Sequence, residues 1–201
     1  MGTTNSPYGL RPVNILGGQP SSQAGRWYPV TSAETTAIFS GDPVVFITTS
    51  TGRGTIRRMN TTVAATTVTS SGTWLGVFGG CEYTDPNTGQ LLQRQYYPGS
   101  ITASDIRAFI YDDPDQLFAI RADGSVAQTK QGCNAAVIQT AVGNTLTGNS
   151  GLSLQASSLD STSTLPVRIY DFISTVGDSY TDVLVRLNTH FHRQATGVAA
   201  S

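Results

Sequence analysis

Trp74–Tyr83, reading WLGVFGGCEY, constrains the fold more than any other stretch of the chain. It is the most apolar run, yet it is too short for a buried helix, and Gly76, Gly79 and Gly80 argue against one. Its aromatic residues and Val77 favour a strand, and the paired glycines suggest a bulge or a close backbone approach. A dense turn signal follows, Asp85-Pro86-Asn87-Thr88-Gly89, and then a second strand candidate, Leu91–Tyr97. The expectation is the central hairpin of an all-β protein. Val77 and Phe78 point to opposite faces of such a strand, so a central position covers both.

Composition supports strands before any pattern is considered. Only 12% of the 201 residues are charged, about half the usual share, and 28 Thr and 20 Ser take their place. Threonine suits a pleated surface, whereas the usual fillers of exposed helices are scarce: Lys130 is the single lysine. With 38% hydrophobic residues the chain is too apolar for a disordered one. Net charge of −1 gives no long-range attraction to nucleic acid or to an anionic membrane. The N-terminus lacks the basic-then-apolar pattern of a secretory signal, and no run approaches the roughly 18 apolar residues of a spanning helix. Met1–Ser6 matches a myristoylation pattern and Asn60-Thr61-Thr62 a glycosylation sequon, both without supporting context. Cys81 and Cys133 lie beside glycines in apolar surroundings and read as free, buried thiols.

Residues 1–25 read as an extended N-terminal arm, rich in Pro and Gly and with little alternation. Residues 26–193 read as a single β domain and 194–201 as a flexible tail. Within the domain, Arg26–Val30 is an edge strand because Pro29 cannot donate to a ladder. Pro43–Thr49 is a core strand, with Thr55–Met59 returning as its hairpin partner. Thr61–Thr73 is ambiguous. Asp105–Tyr111 alternates, with Ile106, Ala108 and Ile110 on one face. Leu117–Arg121, Leu165–Ile173 and Asp182–Phe191 are further strands, and Leu152 and Leu154 mark a short one. Asn134–Val142 is the one segment that fits a short helix, its Gly and Asn flanks serving as caps, with a strand nearly as good a fit. About ten short strands punctuated by Gly, Pro, Asn and Asp imply a compact sandwich, jelly-roll or barrel-like body.

The chemistry-bearing residues are few. His190 and His192 share a strand face at a spacing of two, but a metal needs a third ligand that no nearby pattern offers; an interface position is the simpler reading. Gly177-Asp178-Ser179 resembles an esterase nucleophile block without its partners and reads as a loop. Asp112, Asp113 and Asp115 are interrupted by Pro114 and read as a turn rather than a calcium loop. Arg53, Arg57 and Arg58 read as a solvated strand face. No catalytic residue, cofactor site or metal site is expected. Tyr8, Leu10, Pro12 and Val13 are too apolar for a free tail, and Arg11 adds a donor fork that suits a carboxylate, so these five residues are expected to contact a neighbouring subunit, the alternative being that the arm folds back to cover the end of its own barrel. Trp27, Tyr28, His190 and His192 are the expected oligomer or partner face.

Two sets of blocks carry a resemblance. One is Pro7-Tyr8-Gly9-Leu10-Arg11-Pro12-Val13, Gly17-Gly18-Gln19-Pro20 and Gly41-Asp42-Pro43-Val44. The other is Leu75–Tyr83, Tyr97-Pro98-Gly99, Asp113-Pro114 and Gly132-Cys133-Asn134-Ala135. In this order they resemble the capsid decoration (cement) and related structural proteins of tailed-bacteriophage virions. The resemblance implies an all-β protein, often a homotrimer, made in the host cytoplasm. It would bind the major capsid protein on the outside of the shell, without enzymatic activity and without nucleic-acid or membrane partners. A tail, fibre or head–tail component is the alternative within viruses. A carbohydrate-binding β module is the alternative of another class, with Trp27, Tyr28, Trp74, Tyr96 and Tyr97 as stacking faces; a solvent-exposed aromatic row on one sheet face would favour it.

Overall fold

The computed structural model describes residues 4–16, 25–31, 34–47, 53–59, 67–68, 74–139 and 141–193. The tail from 194, the loop 17–24, the sequon at Asn60 and most of Thr61–Thr73 lie outside the described residues.

The protein is all-β, with sixteen strands among the described residues where about ten were expected. In chain order they are β1 (Arg11–Ile15), β2 (Arg26–Pro29), β3 (Ile38–Phe39), β4 (Pro43–Phe46), β5 (Ile56–Arg58), β6 (Thr67–Val68), β7 (Trp74–Thr84) and β8 (Leu91–Arg94). There follow β9 (Tyr96–Tyr97), β10 (Arg107–Tyr111), β11 (Gln116–Arg121), β12 (Asn134–Ala135), β13 (Val137–Gln139), β14 (Leu152–Leu154), β15 (Val167–Phe172) and β16 (Asp182–Leu187). Two sheets dominate. One runs β1-β11-β16-β15-β12; the other runs β2-β10-β7-β4-β5, with β8 also on β7. Two small sheets, β14-β13-β6 and β3-β9, complete the body.

β7 is the central strand, as its sequence implies. β10 occupies one edge, and β4 and then β8 share the other. It is bulged twice. Against β4 the register passes from Gly76 to Trp74, leaving Leu75 as the extra residue; against β10 it passes from Phe78 to Gly80, leaving Gly79. Each bulge reverses which side chains face which layer. Trp74 and Val77 therefore join the cluster formed with Phe118, Ile120, Val185 and Val167, whereas Leu75, Phe78, Cys81 and Tyr83 join the one formed with Val44, Ile56, Ala108 and Ile110. Val77 and Phe78 are both fully buried, on opposite sides. Gly76 is obligatory: a Cβ there would come 2.2 Å from the Tyr111 carbonyl oxygen.

Several local readings change. Leu91–Tyr97 is two strands, the second leaving β7 to pair with β3. Asn134–Val142 takes the strand option, as β12 and β13, ending beside residue 140, which is not described. The N-terminal segment is extended, but Arg11–Ile15 is the edge strand of the five-stranded sheet, in register with Ala119–Gln116. Leu10 sits in the core at 1% exposure, so a free arm is confined to residues outside this pairing. Short 3-10 turns cover Gln128–Lys130, Ala156–Ser158 and Phe191–Arg193. β16 ends at Leu187, so neither histidine lies on the strand where both were expected: His190 forms an isolated bridge to Trp74 and His192 sits in the last 3-10 turn.

Candidate functional site

β10 alternates strictly. Ala108 and Ile110 face the second cluster, which puts Arg107, Phe109 and Tyr111 on the opposite side of the sheet: Arg107 is exposed, Phe109 and Tyr111 are half-buried, and Tyr111 also packs against the first cluster. Phe109 pairs with Trp27 of edge strand β2, and their rings meet at 5.5 Å and 64°; Phe109 meets Tyr111 at 5.2 Å and 87°. The bulge residue Gly79 supplies the floor. A Cβ there would lie 2.7 Å from Tyr111 Cε2 and 3.2 Å from Phe109 Cδ1, so only glycine lets both rings settle on the strand. Trp27 remains 46% exposed. The three rings border a cleft of about 440 Å³ whose far rim is Gln93, Arg94 and Gln95. Arg107, paired with Glu82, lies 5.9 Å over the Trp27 ring. Cys81 borders the same cleft, but burial pushes its thiol up to about 12, and its Sγ donates to the Tyr96 carbonyl, so it is no nucleophile at neutral pH.

Phe109 and Tyr111 were not among the residues singled out from the sequence. The signal was present: once Ile106, Ala108 and Ile110 are assigned inward, Arg107, Phe109 and Tyr111 must face the other way. Of the five aromatic residues expected to stack on a sugar, Trp74 and Tyr97 are fully buried, and Tyr96 stacks on Phe39 at 5.4 Å. Trp27 alone among them is largely exposed.

The expected partner face divides. Trp27 looks outward, while Tyr28 turns inward and donates to Asp112 Oδ2 at 2.6 Å. His192 Nε2 lies 3.5 Å from the same oxygen and Arg26 Nε 3.4 Å, so Asp112 gathers both β2 and the C-terminal turn. His190 is 1% exposed and unavailable to a partner. Its Nδ1 accepts the His192 backbone N–H, and burial with the neighbouring His192 depresses its pKa to about 4. Asp113 and Asp115 form the expected turn, with Asp115 paired to Arg193. Among the described residues no group of His, Cys, Asp or Glu is placed to hold a metal.

The five N-terminal residues also divide. Tyr8 donates to Asp182 Oδ1 at 3.0 Å, and Arg121 grips both carboxylate oxygens of Asp182 at 2.9 and 2.8 Å. Arg11 stacks over the Tyr8 ring at 4.6 Å. Burial and the adjacent carboxylate raise the Tyr8 phenol well above its ordinary value, and Arg121 and Tyr8 hold the Asp182 carboxyl below its own. Leu10 is core, Pro12 is half-buried, and Val13 is 45% exposed on the sheet edge.

Two further arrangements were not anticipated. Arg58, expected on a solvated face, is 8% exposed: Arg58 Nε sits 3.0 Å from Asp42 Oδ2 while Nη2 donates to Gln139 of β13. Asp42 also accepts from Ser150 Oγ and from the Phe39 N–H. Burial pushes the Asp42 carboxyl up, against the pull of Arg58 and these donors. This buried pair ties β4–β5 to β13 and the strand leading into β14. The second is a rung of two arginines: Arg168 of β15 and Arg186 of β16 stand directly opposite each other beside a cleft of about 490 Å³.

Comparison with known proteins found no matching family model, no similar curated protein and no similar solved structure.

Proposed function

We propose that this chain is a structural protein of a tailed-bacteriophage virion, which binds the outside of the capsid and reinforces contacts between major capsid subunits. The observation that carries this reading is the aromatic cleft in which exposed Trp27 stands beside half-buried Phe109 and Tyr111, rimmed by Arg94 and Arg107. Tryptophan, tyrosine and arginine around a small concave surface are the residues that anchor protein–protein contacts. The sequence blocks that resemble decoration proteins supply the kind of partner, and a homotrimer would multiply modest contacts into avidity.

The same aromatic row bears on the saccharide-binding alternative. A sugar platform needs flat, accessible ring faces. Here neighbouring rings stand at 64° and 87° to one another, so they present edges and a corner rather than a shared plane. That geometry fits an irregular protein surface better.

Co-sedimentation of the purified chain with particles lacking it tests the proposal. Wild-type protein is expected to bind at saturable stoichiometry. Trp27→Ala is expected to bind at least ~10-fold more weakly with an almost unchanged melting temperature. A wild-type chain that fails to sediment with particles but is retained on an oligosaccharide resin would replace this reading with the saccharide one.

A further inference from the structure

Five arginines of the described residues have a carboxylate within ion-pair distance: Arg26, Arg58, Arg107, Arg121 and Arg193. Among the described residues Arg168 and Arg186 have none, as is also true of Arg11, Arg57 and Arg94, but these two alone stand opposite each other as one rung of the β15–β16 ladder. Opposed residues in an antiparallel pair place their Cβ atoms about 4.5–5.5 Å apart, and two like charges there repel. The nearby acids are committed elsewhere. Asp160 accepts from the Ser161 N–H and the Thr162 hydroxyl, and Asp171 accepts from the Phe172 N–H.

The rung is also built. Arg168 Nε donates to Asn134 Oδ1 at 3.0 Å, and Asn188 Nδ2 donates to the same oxygen at 3.0 Å. Asn134 Nδ2 is in turn anchored on the Thr162 carbonyl, and Asn188 Nδ2 on the Leu165 carbonyl. Holding a guanidinium by Nε fixes its plane and leaves its two terminal nitrogens for another acceptor. The adjoining cleft contains no acidic side chain; Ser163, Tyr170 and Leu16 complete its wall.

We propose that the Arg168–Arg186 rung is an oxyanion site whose occupant is a carboxylate side chain of a partner protein. Two guanidinium forks side by side match the geometry of an Asp or Glu carboxylate. A polyanion is a poorer match, because the chain's net charge of −1 gives no field to draw one in. The partner half of the proposal rests on the virion reading above; the oxyanion half stands without it.

The test is thermal unfolding of the full chain in sodium chloride, malonate or inorganic phosphate at matched ionic strength. Malonate is expected to raise the melting temperature by ~2–4 °C near saturation over the chloride value. Arg168→Gln and Arg186→Gln, both surface changes, should each remove most of that rise, and the double variant all of it. No malonate-specific rise, or a rise that persists in the double variant, overturns the site. A rise with phosphate but not malonate overturns the carboxylate assignment. On particles, the double variant should bind at least ~10-fold more weakly than wild type; equal binding overturns the partner assignment. If wild type fails to bind particles while malonate still stabilises it, the virion reading falls and the oxyanion site stands.

Discussion

The two large sheets handle their side chains differently. In the five-stranded sheet the central β11–β16 pairing runs without interruption from Leu117↔Arg186 to Arg121↔Asp182. β16 alternates along its length, with Val183, Val185 and Leu187 buried and Leu184 and Arg186 half-exposed. In the six-stranded sheet the central strand is interrupted at Leu75 and at Gly79. The difference follows from what the two central strands, β16 and β7, must cover, since β11 beside β16 is buried on both faces and β15 bulges at Tyr170. A strand with one covered face keeps a period of two, and its outer face is free to carry charge. A strand serving a core on each side needs bulky residues at successive positions, and bulges set which layer receives each one. The first sheet thus has room for an uncompensated pair of arginines. The second has its glycines where neighbouring backbone and rings approach.

If that contrast is right, substitutions in β7 cost folding and substitutions on the outer face of β15–β16 do not. Phe78→Ala is expected to cost about 3–5 kcal/mol, read as a shift in the urea midpoint. Arg58→Ala, which strands Asp42 in the interior without its cation, should cost a similar amount, and a loss under ~1 kcal/mol would show that water reaches that pair. Val77→Ala should cost less than Phe78→Ala, since fewer atoms are removed.

A pH titration separates a further contribution. His190 takes a proton near 6.5 when unfolded but near 4 when folded. The unfolded state therefore binds more protons in that window, and stability must fall as pH drops from about 6.5 towards 4. His190→Phe should flatten the fall in that window. It should leave intact the loss at lower pH, where hydrogen-bonded Asp85, Asp105 and Asp182, all held below their ordinary values, become protonated. The smallest expected effect has the opposite sign: in chloride, Arg186→Gln relieves the like-charge rung and should stabilise the chain by a few tenths of a kcal/mol.

Much of the fold was legible because hydrophobic pattern and turn chemistry agree. Trp74–Tyr83 is a strand with a bulge at its glycine pair, Pro29 lies on an edge strand, and Ile106, Ala108 and Ile110 face inward, as the sequence implies. What was not legible depends on register between distant segments. Arg168 and Arg186 each sit in an ordinary alternating strand, and nothing local reveals that they oppose each other. Arg58 belongs to a run of arginines that looks solvated until Asp42 and, from β13, Gln139 are placed against it. The N-terminal segment has no alternation because one edge strand, with a register shift between Pro12 and Asn14, follows the sheet unevenly.

With one buried face in each hydrophobic cluster, β7 is expected to weld the two into one cooperative unit. That coupling is tested by unfolding a Trp27→Phe, Cys133→Ser protein in urea with two probes. Trp74 fluorescence reports one cluster, and reactivity of the Cys81 thiol reports the other. The expected result is a single transition, coincident by both probes, that Phe78→Ala moves to lower urea for both alike. Two separated transitions, with Phe78→Ala shifting only the thiol probe, would contradict it.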